Sequence, residues 1–147
     1  MATLSTSSAY MLQPSLQDLH NKTLEWESTI EHWKKELEFF KKLIDRYGAK
    51  LNFRHDINEK EHFNFLLTYY AGELMGDLTN RIHQHEARLK PLLKNQSEQD
   101  ERGYRVEHTT LERDMMTIEN EFQCYKNELY TLIEKVIAKI KIKNGTL

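Results

Sequence analysis

Three of the seven histidines, His20, His85 and His108, sit on or beside stretches otherwise made of large hydrophobes. A neutral imidazole placed among apolar side chains has three uses: metal ligation, acid–base chemistry, or a hydrogen bond to a neighbouring carboxylate or water. With Glu86 and Glu112 nearby in sequence, and Glu107 and His83 as further neighbours, the set His20, His85, His108, Glu86 and Glu112 could hold zinc, or iron with its added carboxylates. The plainer expectation is that the imidazoles hydrogen-bond carboxylates or water at a wet end of the molecule. Leucine at position 85 or 108 separates the two readings. It should be neutral or stabilising where the ring is only polar filling, and should abolish metal-dependent stabilisation where the ring is a ligand.

Other chemistry finds little support. No glycine-rich phosphate loop, nucleophile elbow or paired-cysteine spacing occurs. The Glu-x-x-His spacing of a ferritin-type di-iron bundle occurs once, at Glu59-Lys60-Glu61-His62, where two copies are needed. The lone Cys124 has no disulfide partner and no evident base, which fits a reducing compartment and a bystander thiol. No catalytic residue or cofactor-binding residue is expected, and the chain reads as a non-enzyme.

Charge and composition narrow the partners. The formal charge is −2, with no basic excess to pair with phosphates, so nucleic acid is not an expected partner. No apolar run approaches the roughly 18 residues of a membrane span. The start of the chain lacks a basic and then apolar leader, so Asn21, Asn95 and Asn144 are read as accidental glycosylation triplets in a cytoplasmic protein.

The elements that would position the histidines are long helices. From Leu16 the apolar residues recur at Leu19, Thr23, Trp26, Ile30, Trp33, Leu37, Phe40, Ile44 and Tyr47, in steps that alternate three and four. Ser15 with Asp18 should cap this helix, over 15 to 47, and Gly48 should end it in a left-handed conformation. A second helix, over 56 to 94, opens at Asp56 and Glu59 and carries Phe63, Leu67, Tyr70, Leu74, Leu78, Ile82, His85, Leu89 and Leu92. Its two successive steps of four, Leu74 to Leu78 to Ile82, suggest a local slip to hendecad spacing. Pro91 should kink or end it near Lys90. A third helix, over 97 to 143, opens at Ser97 and Asp100 and runs through Tyr104, His108, Leu111, Met115, Ile118, Phe122, Tyr125, Leu129, Leu132 and Val136.

Three such helices joined by short connections predict an all-α fold, an antiparallel up-down-up bundle of coiled-coil type forming one domain over 14 to 143. Residues 1 to 13, rich in serine and threonine, read as a loose tail. In outline the stack resembles a spectrin-like bundle, tryptophans in the first helix included, though with longer helices. Antiparallel pairing sets His85 level with about residue 107 of the third helix and about residue 17 of the first. The three imidazoles are therefore expected in one layer.

The opposite end holds more aromatics than a three-helix seam needs, with Phe39, Phe65 and Tyr69 off the main stripe. Gly72 and Gly76 leave an open face on the second helix at roughly 1 kcal/mol each relative to alanine. Together these five residues are the expected interface, either with a second copy in a homodimer or with another protein.

Overall fold

The computed structural model describes residues 13–50, 54–95, 97–143 and 145. The expected tail, 1 to 13, lies outside the described residues except for its last position, as does Phe53 in the first connection. The described chain is nearly all helical and contains no strand. Its elements are α1 (Leu16–Gly48), α2 (Arg54–Tyr69), a π-helical turn (Tyr70–Leu74), α3 (Met75–Asn95) and α4 (Glu98–Lys143). With α2, the π turn and α3 read as one rod, there are three helices.

The ends follow local chemistry, with two departures. Ser15 Oγ accepts from the Asp18 amide at 3.0 Å while the Asp18 carboxylate accepts from the Ser15 amide at 3.1 Å, a reciprocal capping box that satisfies two otherwise orphaned donors. Gly48 does not end α1 in a left-handed turn. The following Ala49 stays right-handed at φ −65°, and a Cβ on the buried Gly48 would meet Lys60 Cε at 2.7 Å, so the flexible Lys60 side chain lies against the bare glycine. Asp56 lies within the first turn of α2, not at its cap, because the helix already begins at Arg54. Pro91 also fails to stop the chain: α3 continues through it to Asn95. Proline removes one amide donor and crowds the carbonyl of Ala87, a local cost that the helix bears.

The apolar seams form the core. Trp26, Ile30, Trp33, Leu37, Phe40 and Ile44 of α1 are all buried, as are Leu111, Met115, Ile118, Phe122, Tyr125, Leu129 and Val136 of α4. Residues of α1 and α4 meet in rising order: Trp26 with His108, Trp33 with Phe122, Phe40 with Tyr130. Residues of the middle rod and α4 meet in falling order: Phe63 with Tyr125, Tyr70 with Phe122, Arg81 with Asp114, His85 with His108. Two cross-links at the margin of the core hold the register, Trp33 Nε1 donating to Glu119 at 3.1 Å and Lys126 paired with Glu36 at 2.6 Å.

The middle rod corrects its seam by an inserted residue. Leu74, expected on the stripe, is only partly buried, and Met75 takes the core position instead, 1% exposed. The seam therefore steps from Tyr70 to Met75 in five residues, which the wider π turn absorbs, and returns to threes and fours at Leu78, Ile82, His85 and Leu89. A one-residue π insertion replaces the expected hendecad slip.

Candidate functional site

Two apolar clusters occupy the core. The larger runs from Trp26, Ile82 and Leu111 to Ile44, Phe63 and Val136. The smaller consists of Leu19, Leu89, Leu92 and Tyr104, with Leu16 packed against it. Between them in sequence, on all three rods, stand the buried polar residues Thr23, His85 and His108. Thr23 satisfies its own hydroxyl by donating to the Leu19 carbonyl at 2.9 Å.

The two histidines meet. His85 Nε2 lies 3.0 Å from His108 Nδ1, and His85 Nδ1 lies 2.6 Å from Glu107 Oε1. Helical spacing explains the arrangement: Glu107 and His108 are adjacent on α4, so one reaches the rim while the other enters the core. The Glu107 carboxylate can only accept, so His85 Nδ1 carries a proton toward it. Arg88 pairs with the second oxygen of the same carboxylate. The aromatic surroundings are tight. His85 stacks on Tyr104 with centroids 4.1 Å apart, and His108 stacks on Trp26 at 4.5 Å.

The remaining valence of His108 is the anomaly. Its Nε2 is buried with no hydrogen-bond partner among the described residues. Burial, with His85, Lys22 and Arg105 adding to it, lowers the pKa of His108 to about 4, so the ring is neutral near pH 7. Burial also raises the Tyr104 hydroxyl to about 12, reinforced by the Glu86 charge. The neutral His108 ring thus pairs with His85 in a hydrogen-bonded wedge that reaches the rim through Glu107.

The other expected ligands are placed differently. His20 lies against the Glu86 carboxylate in a partly exposed pair between α1 and α3. Glu112 is exposed, and neither it nor His20 has a described contact with the buried pair. Among the described residues no three His, Cys, Asp or Glu side chains converge as a ligand set. Glu107 meets His85, as expected for a residue level with it. Tyr104 and Trp26, which grip the two rings, were legible as seam residues but not as partners of the histidines.

At the aromatic end Phe65 is 71%, Phe39 50% and Tyr69 43% exposed. Phe39 and Tyr69 touch the rings of their chain neighbours, Phe40 and Tyr70. Gly72 lines a groove of about 590 Å³ between α1 and the middle rod, with Leu37, Lys41, Leu67 and Thr68. A Cβ at Gly72 or Gly76 would meet nothing within 4 Å. Cys124 is exposed.

A comparison of the chain with protein families, characterised proteins and solved structures finds no match. No helix among the described residues is long and apolar enough to cross a membrane.

Proposed function

We propose that this chain is a non-enzymatic helical interaction module that associates with itself, a cytoplasmic scaffold built as one antiparallel up-down-up bundle of coiled-coil type. The rising order of α1–α4 contacts and the falling order between the middle rod and α4 support that topology. The reading of function is carried by the aromatic end. Phe65, Phe39 and Tyr69 stay exposed although the core beside them is already filled, and Gly72 and Gly76 leave backbone open to close approach. A lone exposed thiol, Cys124, fits a reducing compartment.

A size-exclusion series from low to high micromolar tests the proposal. The wild-type chain is expected to elute earlier as concentration rises, and Phe65→Ser with Tyr69→Ser to elute at one volume throughout. A concentration-independent monomer elution for the wild type overturns it.

Zinc or iron at the histidine layer is the competing reading. Two imidazoles meeting in the core with a carboxylate behind one of them is the observation in its favour. Against it, His85 has both nitrogens engaged within the protein, and His20 is held by Glu86. Metal analysis of untagged protein, with and without added zinc, decides between them. Near-stoichiometric metal and a raised Tm favour the metal site; less than about a tenth of an equivalent ends it.

A further inference from the structure

We propose that the end of the molecule carrying His85 and His108 is an acid-sensitive latch, which opens ahead of the aromatic end when both imidazoles become charged. The geometry sets the trigger. At 3.0 Å the two ring nitrogens share one proton: one ring donates and the other accepts. With both rings charged, N–H would face N–H across that distance, and the pair must separate.

The one carboxylate in contact with the pair among the described residues already faces an arginine. From α4, Glu107 touches His85 Nδ1, and from α3 Arg88 already draws on that carboxylate. Facing His108 are His85 from α3, the Trp26 ring and the Lys22 charge from α1, and Tyr104 and Arg105 from α4. Glu86, the next carboxylate on α3, has Oε1 against His20 of α1, while its Oε2 is buried with no hydrogen-bond partner among the described residues. No acceptor among the described residues reaches His108 Nε2. Burial and these cations hold His108 neutral down to about pH 4, consistent with a ring that charges only when the layer opens.

Opening is local because the apolar core at this end is small. Among the described residues the cluster on the far side of the pair is Leu19, Leu89, Leu92 and Tyr104, with Leu16, tied further by Arg105 donating to the Pro14 carbonyl and by His20 against Glu86, whereas the aromatic end belongs to the large continuous core. Segments with few buried contacts open at lower free energy than the global transition.

Hydrogen exchange of the full chain, corrected for the intrinsic pH dependence of amide exchange, tests the latch at about pH 7 and pH 4.5. Residues 16–26, 82–92 and 104–111 should lose protection by about tenfold more than residues 33–44 and 118–132. In the double variant His85→Leu with His108→Leu that difference should disappear. Uniform loss at both ends overturns the proposal, as does an unchanged difference in the double variant. A second readout needs no histidine variant. In Trp33→Phe, emission from Trp26, which stacks on His108, should change at a higher pH than far-ultraviolet circular dichroism. Coincident transitions overturn the proposal.

Discussion

His85 Nε2 and His108 Nδ1 face each other at 3.0 Å inside the core, each ring clasped by an aromatic side chain, Tyr104 on one and Trp26 on the other. The contact makes the two residues energetically inseparable. A buried partner left alone costs its full desolvation, whereas removing both can be nearly free.

His85→Leu or His108→Leu alone should therefore destabilise the protein by about 1–3 kcal/mol, because the surviving ring loses its hydrogen bond. The double leucine variant should cost less than the sum of the two, and should lie near or above the wild type. Urea melts of the four proteins close a double-mutant cycle. The expectation from sequence, that either leucine is neutral or stabilising, treats each histidine as an isolated polar residue on an apolar seam, and the same melts decide between the two.

The same pair sets a pH dependence. The pKa of His108 lies at about 4 in the folded chain, against 6.5 for the free side chain, so the unfolded chain binds more protons between these values. Stability from this group is complete above about pH 6.5 and is lost as pH falls toward 4, amounting to about 3 kcal/mol at most. The difference between wild type and the double leucine variant, measured by urea at about pH 7 and pH 4, reads the share of the histidine pair as a unit.

Deleting Gly72 should leave the fold intact and change Tm by only a few degrees. Without that residue the step from Tyr70 to Met75 becomes four, and the middle rod can run as one regular helix. Deleting Arg113 from α4 should be far worse, since it turns the helix beyond it by about 100° and brings Glu119, Gln123 and Lys126 to the buried seats of Ile118, Phe122 and Tyr125. Circular dichroism melts of both deletions check the contrast.

Gly76→Ala separates folding from association. A Cβ there meets nothing within 4 Å, so the monomer should gain about 1 kcal/mol from helix propensity. Where Gly76 admits a second copy, the same methyl group weakens self-association. Denaturant melts at low concentration read the first effect, and sedimentation equilibrium the second.

The seams of α1 and α4 were legible because steps of three and four admit one face only. Every residue from Trp26 to Ile44 on that register is buried. The π turn was not legible. Leu74 is itself apolar and completes a run of fours, so the pattern offers no reason to prefer Met75 five residues on. The histidine layer was legible to about one helical turn, enough to bring His85 beside Glu107 and His108. It was not enough to separate His20, one shoulder away, whose neighbour Glu86 captures it at the surface. Helix periodicity fixes a face; a hydrogen bond needs ångström placement, which only side-chain packing supplies.

Light scattering at high micromolar concentration tests self-association most directly. A mass approaching twice the 17.6 kDa chain, falling toward the single-chain value in Phe65→Ser with Tyr69→Ser, is the predicted result. A wild-type mass of one chain at that concentration would contradict it.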